Sequence, residues 1–223
     1  MVSYKYPQNN DLRRLVRFSS EDGLIWLAEN RMLLLHTAAM SALRRELIKS
    51  VGIEQARRIL TRMGYESGMR DAELARKIRP DQNAIESFFV GPQLHMLEGS
   101  VQVTPIRLEM DAVSGRFDGE FLWENSWEAE CHEREFGHAD QPVCWMQIGY
   151  ASGYTSGFMG RFVLFKEVEC AACGTNHCRI VGKPVEEWPD AERYTPYYED
   201  QPDAVVTRLL ELHSEVDVLR HSI

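Results

Sequence analysis

The chain has 223 residues, of which 44 % are hydrophobic and 26 % are charged, so it is long enough for one domain or two small ones. Its 25 basic and 34 acidic side chains give a formal net charge of −9, which disfavours direct binding to nucleic acid. No apolar run approaches the roughly 20 residues that span a bilayer, and residues 1–10 lack the apolar core of a signal peptide. The composition therefore predicts a cytoplasmic location.

The first half of the chain shows helical periodicity. Four polar residues, 19–22, are suitable caps for a long helix that we expect to end at Val51, just before Gly52. Further helices are expected at 54–78, from a cap at Asp81 to Phe89, and at 93–97. Gly64 and Gly68 weaken the prediction that 54–78 is one uninterrupted helix.

In the second half the periodicity changes to alternation. Residues 101–110 and 117–123 place apolar side chains on one face and flank a turn at Ser114-Gly115, which predicts a β-hairpin. The segment 142–161 is apolar, and its glycines recur every three or four residues, which predicts a buried helix with a smooth strip that another backbone can approach. A strand at 162–168 and a short hairpin at 170–181 follow in the prediction.

The last twenty residues carry a heptad pattern. After Pro202, apolar residues step alternately by four and three: Val205, Leu209, Leu212, Val216, Leu219 and Ile223. The pattern covers fewer than three heptads, so a terminal helix packed on its own domain and a dimeric coiled coil both remain open. In either case, a chain that ends in mid-heptad is expected to be part of a longer protein.

Three of the five cysteines lie within nine residues: Cys170, Cys173 and Cys178. An odd, clustered set is a poor disulfide framework and indicates a metal site, for which zinc prefers four ligands in a tetrahedron. Spacing alone selects these three with Cys144, while Glu167, Glu169 and His177 compete as ligands. A site filled by four protein groups has no open position, so the metal would be structural. Cys131 is expected to be an ordinary free thiol.

No motif of a known catalyst is present. The chain lacks a phosphate-binding loop, a dinucleotide-binding glycine motif, a nucleophile elbow and a zinc-protease motif. The sequence motifs therefore indicate no enzyme.

Several ordered blocks resemble the amino-terminal sensory domains of bacterial sigma-54-dependent activators that respond to phenols, toluene and xylenes. The resemblance covers about residue 10 to the end and is greatest to the phenol-responsive members. Its blocks are 25–27 with 31–34, 71–77, 91–95, 142–145, 165–168, and 178–184 with 186–188.

The resemblance implies an α+β fold of the vinyl-4-reductase type that dimerises. It implies an amino-terminal arm for dimerisation at 1–18, an aromatic-sensing domain at 19–201 with a zinc lobe around 144–182, and a linker helix at 202–223. In this family the sensory domain holds a neighbouring AAA+ ATPase in check until an aromatic effector binds. A helix-turn-helix DNA-binding domain would follow the ATPase.

The resemblance also implies site residues. It places the zinc ligands on Cys144, Glu167, Cys170 and Cys178, which leaves Cys173 as a bystander and conflicts with the choice from spacing. It assigns the binding of the phenol hydroxyl to His95 and Trp123. A neutral imidazole can accept a hydrogen bond from the hydroxyl, whereas the indole N–H can only donate one. Four aromatic residues are implied as cavity walls: Phe88, Phe121, Tyr154 and Phe165.

Three other functions compete with phenol sensing. A toluene or xylene sensor is disfavoured by His95, because a hydrocarbon leaves a buried polar pair unmatched. A zinc-dependent enzyme acting on aromatics is disfavoured by the closed ligand set. A structural zinc-bound dimerisation module would bind no small aromatic at all.

Overall fold

The computed structural model describes residues 10–79 and 83–199. The helices are α1 (Asn10–Arg14), α2 (Thr37–Val51), α3 (Ile53–Ile78), α4 (Ala84–Phe88), α5 (Val90–Leu97), α6 (Trp127–Phe136) and α7 (Trp145–Met159). The strands are β1 (Val16–Ser19), β2 (Leu24–Leu27), β3 (Asn30–Met32), β4 (Gln102–Asp111), β5 (Arg116–Glu124), β6 (Val163–Glu169) and β7 (Cys178–Pro184). The predicted α+β class is confirmed.

The main sheet is antiparallel with the strand order β4-β5-β7-β6. The predicted hairpin is β4 and β5, and Phe117, Phe121 and Trp123 alternate on its buried face as expected from a period of two. The register between β4 and β5 shifts between Pro105 and Arg107, and Ile106, expected on the apolar face, is 49 % exposed. The extra residue in one strand changes the face to which later side chains point.

The most extensive packing between two described helices is that of α3 against α7, and glycines make their close approach possible. A Cβ atom on Gly149 would lie 2.0 Å from the carbonyl oxygen of Thr61, and one on Gly64 would lie 1.9 Å from that of Met146. Glycines on both helices therefore let the two backbones touch. The glycine strip expected for 142–161 is confirmed, and Gly64, which counted against an uninterrupted helix at 54–78, belongs to the same contact.

The long helix predicted from residue 19 to Val51 is wrong over its first half. The segment forms the three-stranded antiparallel sheet β1-β2-β3, and a helix begins only at Thr37. The expected capping residues form a turn instead, in which Ser19 Oγ donates to Asp22 Oδ2 at 2.6 Å and Gly23 has a φ of +66°. A glycine at positive φ followed by large apolar residues is typical of a turn between strands.

Other differences are local. Asn83 caps α4 by accepting a hydrogen bond from the Glu86 backbone N–H at 2.9 Å. The hairpin expected within 170–181 is wider, because β6 pairs with β7 and the cysteine-rich turn is its loop. Helix α6 was not predicted, although Ser126 caps it by accepting from the Ala129 N–H.

Some predictions concern residues outside the described ranges. These are the first half of the amino-terminal arm, the cap at Asp81 and the heptad segment 202–223. The division into an arm at 1–18, a sensing domain and a linker therefore stays a prediction. Within 10–79 and 83–199, no helix has both the length and the apolar character needed to cross a membrane.

Candidate functional site

A cluster of four possible metal ligands lies where the loop before α7 meets the β6–β7 hairpin. One donor atom from each of four residues lies within 4.8 Å of all the others: Cys144, Glu167, Cys170 and Cys178. The sulfurs of Cys144 and Cys178 are 3.8 Å apart, and the three thiols are at most 2 % exposed. The grouping coincides with the set implied by the family resemblance.

The electrostatics of the cluster favour a bound cation. Burial raises the pKa of the Cys144 thiol, and burial together with the charge of Cys170 raises the pKa of Glu167 to about 8. Glu167 Oε2 accepts a hydrogen bond from the Cys144 N–H at 3.1 Å, whereas its buried Oε1 has no partner in the described part of the chain. Because a cation offsets the cost of ionising adjacent buried acids, these residues fit a metal ion.

The other proposed ligands lie outside this cluster. Cys173 is half-buried and does not belong to the group of four. His177 Nε2 lies 3.0 Å from Glu169 Oε2, so these two side chains pair with each other. Cys131 is a buried free thiol whose sulfur lies 3.7 Å from the Thr37 carbonyl oxygen.

Sequence reasoning missed the residues that hold Cys144 in place. Arg44 of α2 forms a fully buried ion pair with Glu128 of α6 at 2.7 Å and donates to the Val143 carbonyl at the same distance. Glu128 also accepts from the Gln147 N–H, at 2.8 Å, in the first turn of α7. No local sequence pattern indicates this bridge, because its members lie on helices far apart in the chain.

A separate cavity lies between α4, α5, α7 and the main sheet. Its free volume is about 30 Å³, well below the roughly 300–1,000 Å³ typical of ligand pockets, so lining side chains must move to admit a ligand. All six residues implied as ligand contacts line it: Phe88, His95, Phe121, Trp123, Tyr154 and Phe165. The remaining walls are mostly apolar as well, so the chemistry of the lining suits an aromatic ring.

The polar part of the cavity lies where His95 meets Trp123. Their rings are 6.0 Å apart, nearly perpendicular, and at most 5 % exposed. Burial lowers the pKa of His95 to about 3, so its imidazole is neutral and offers one donor and one acceptor nitrogen. The indole of Trp123 offers one N–H donor beside it.

The tyrosine hydroxyls around the cavity are used elsewhere. Tyr154 donates to the Phe88 carbonyl at 2.9 Å, and Tyr150 donates to Asp71 at 2.8 Å. Gly91 leaves room for the Tyr154 ring, which would lie 2.4 Å from a Cβ at that position. The imidazole and the indole are therefore the polar groups left to contact a ligand, together with the Thr155 hydroxyl.

An aromatic-lined cavity and a thiol–carboxylate cluster in an α+β fold define a ligand-binding domain. Residues 11–111 match the family described as activator of aromatic catabolism, and residues 123–184 match the vinyl-4-reductase domain. The phenol-responsive sensory domain of the transcription activator PoxR, solved with phenol, is 51 % identical with a TM-score of 0.83. That similarity covers 86 % of this chain and 95 % of the PoxR domain.

Two longer relatives, both regulatory proteins, are similar to this chain over nearly its whole length. The phenol regulator MopR of Acinetobacter guillouiae is 43 % identical over 97 % of this chain, and the transcriptional regulatory protein XylR of Pseudomonas putida is 42 % identical over 97 %. The chain spans 39 % and 38 % of their lengths. The chain belongs to the family of amino-terminal sensory domains of transcription activators of aromatic catabolism.

Proposed function

We propose that the chain binds phenol-type aromatics as the sensory domain of a sigma-54-dependent transcription activator. The observation that carries the proposal is the meeting of His95 and Trp123 in a cavity with mostly apolar walls. A phenol hydroxyl can donate to the imidazole and accept from the indole N–H. The ring then fills the space between Phe88, Phe121 and Phe165.

The same pair distinguishes phenols from hydrocarbons. Toluene offers no hydroxyl, so binding it would remove water from two buried polar groups without replacing their hydrogen bonds. Such a loss costs about 1–3 kcal/mol for each unsatisfied group. A sensor with this cavity therefore prefers phenols to toluene and xylenes.

Binding rather than conversion is the role that the cavity supports. Among the described residues, its lining contains no cysteine and no carboxylate. The histidine in the lining, His95, is held neutral by burial, which lowers its pKa to about 3. An enzyme would need a nucleophile with a base beside it, so we expect phenol to leave the protein unchanged.

The bound metal in this proposal is zinc. Three thiolates and one carboxylate are a ligand set that zinc accepts, and four protein ligands leave no position for a reacting water. Zinc would then hold the loop before α7 against the β6–β7 hairpin. Its role is structural.

The proposed regulation acts on domains beyond this chain. Phenol would relieve the repression of an attached AAA+ ATPase, which with sigma-54 RNA polymerase and DNA activates genes for aromatic degradation. Homodimerisation is supported by three consecutive leucines, 33–35, that are 74 %, 82 % and 58 % exposed. Sedimentation equilibrium tests whether the chain forms a dimer. The cytoplasmic location stays a prediction.

Calorimetry with phenol, cresols, dimethylphenols, toluene and benzene tests the ligand class. We expect His95→Ala to weaken phenol binding at least about tenfold, because a buried hydrogen bond is lost. Zinc content and the circular dichroism spectrum should not change, and His36→Ala, an exposed histidine, serves as the control. Unchanged phenol affinity in His95→Ala would refute the assigned contact, and recovery of chemically altered phenol would favour an enzyme.

A further inference from the structure

The buried carboxylate of Asp71 has no place in the ligand cavity or the cysteine cluster. Asp71 lies on α3 and is 7 % exposed, and it is absent from the cavity lining. Its Oδ2 accepts a hydrogen bond of 2.8 Å from the hydroxyl of Tyr150 on α7. A buried carboxylate is costly to keep, so its position calls for an explanation beyond packing.

The hydrogen-bonded tyrosine contacts the proposed ligand-binding histidine directly. The rings of Tyr150 and His95 are stacked, with centroids 4.1 Å apart and planes inclined by 19°. The hydroxyl that Asp71 holds also lies 3.5 Å from the Gly91 carbonyl oxygen, four residues before His95 on α5. One face of the imidazole therefore packs on the ring of Tyr150, and the hydroxyl of that ring is hydrogen-bonded to Asp71 on α3.

The stacked ring of Tyr150 covers one face of the imidazole. A stacked ring can slide and rotate in its plane unless its own substituent is anchored, and the hydroxyl of Tyr150 is the only polar atom of that ring. Hydrogen bonding to a ligand hydroxyl requires the nitrogen to be placed within a few tenths of an ångström. Trp123, which meets His95 edge-on, does not restrain that motion from the stacked face.

We propose that Asp71 is a positioning residue for recognition of the ligand hydroxyl, acting through the ring of Tyr150 on the imidazole of His95. The inference rests on the proposed function, because it concerns the affinity for phenol. It adds α3 to the recognition of a ligand whose cavity α3 does not line.

Four variants of the full chain with its metal bound test this assignment: Asp71→Leu, Asp71→Asn, Tyr150→Phe, and Asp71→Leu combined with Tyr150→Phe. We expect Asp71→Leu and Tyr150→Phe each to weaken phenol binding about tenfold, the upper range for one hydrogen bond. The double variant should be no weaker than the single ones, since both changes break the same link. Asp71→Asn keeps an acceptor oxygen and should restore most of the affinity.

Two further readouts separate positioning from a general loss of structure. The ratio of phenol to toluene affinity should fall in Asp71→Leu, because only the hydroxyl depends on the imidazole. The NMR shifts of the His95 ring protons without ligand should also change, because they report the stacked tyrosine ring. Arg76→Met is the matched control, since Arg76 joins α3 to the carbonyls of Gly157 and Phe158 on α7 away from His95.

The outcomes distinguish the two proposals. If the wild type binds phenol while the Asp71 and Tyr150 variants bind it equally well, with unchanged His95 shifts, the positioning role is refuted and the proposed function stands. An equal loss of phenol and toluene affinity, or the same loss in Arg76→Met, also refutes it. If the wild type binds no phenol, the proposed function fails, and the positioning role fails with it.

Discussion

The cysteine cluster and the aromatic cavity are both buried beside α7, but they satisfy their polar groups in opposite ways. The cluster packs four metal-binding side chains within 4.8 Å and leaves Glu167 Oε1 unpaired in the described part of the chain. In the cavity, the hydroxyls of Tyr150 and Tyr154 bond to neighbouring protein groups, and the imidazole, the indole and the Thr155 hydroxyl are the other polar side-chain groups of the described lining. In the proposed function, a metal ion would hold the first region together, whereas the second region would exchange its ligand.

Metal removal should therefore have the largest effect. Structural zinc contributes roughly 10–16 kcal/mol in small zinc domains, which is comparable to the entire stability of a typical domain. We expect Cys144→Ala and Cys170→Ser to lose the metal and to unfold the region around 144–182, as seen by metal analysis and thermal melts. Phenol removal should lower only the melting temperature, by an amount set by the logarithm of the phenol concentration relative to its Kd.

The matched control for this result is Cys173→Ser. Because Cys173 lies outside the four-residue cluster, this variant should keep its zinc and its melting temperature. Loss of metal from Cys173→Ser would show that the ligand set from spacing was right and that Glu167 is not a ligand.

A change in the cavity wall should cost less and alter specificity. Phe121 is 2 % exposed and packs against Phe165, so Phe121→Ala should lower the free energy of unfolding by about 3–5 kcal/mol. The enlarged cavity should admit dimethylphenols, with zinc content unchanged. If calorimetry shows that dimethylphenols are still rejected, Phe121 does not limit the size of the ligand.

The helix contact shared by both regions can be tested with alanine. Gly149→Ala places a methyl group 2.0 Å from the Thr61 carbonyl oxygen, which should cost about 1–3 kcal/mol or more and weaken both phenol and metal retention. Gly157→Ala is the milder comparison, because its nearest neighbour is the Ala72 side chain at 2.9 Å. Equal melting temperatures for the two variants would contradict the tight backbone contact.

The smallest effect concerns pH. Because burial lowers the pKa of His95 to about 3, the unfolded chain binds more protons below pH 6.5, and stability falls as the pH drops from 6.5 towards 3. Asp71, whose pKa burial raises to about 6, has the opposite effect below that pH. Between pH 6 and 4, the free energy of unfolding of the wild type should fall by up to about 1.4 kcal/mol more per pH unit than that of His95→Gln. Denaturant titrations measure this difference. Parallel curves would show that His95 does not titrate in this way.

Local patterns predicted the parts of the fold that depend on one long segment. Helix α3 and the β4–β5 hairpin follow from their periods. The pattern failed at β1–β3, where strands of three or four residues are too short for a period to separate them from a helix. There, apolar spacing suggested a helix, while a glycine turn decided the structure.

The site was predictable only as far as residue chemistry and family resemblance reach. Cysteine spacing indicated a metal cluster, but counting thiols could not show that Glu167 points towards it and Cys173 does not. Asp71 and Tyr150 are separated by 79 residues, and the Arg44–Glu128 pair by 84. Such contacts depend on how helices pack, which no local pattern contains.

The glycine contact between α3 and α7 has a mechanical consequence. Where two backbones touch without side chains between them, no rotamer change can absorb a small displacement, so the helices shift together or not at all. Tyr150 and Tyr154 face the cavity from α7, and Cys144 precedes its first turn. A ligand that displaces α7 would therefore displace the metal-binding loop and α3 together with it.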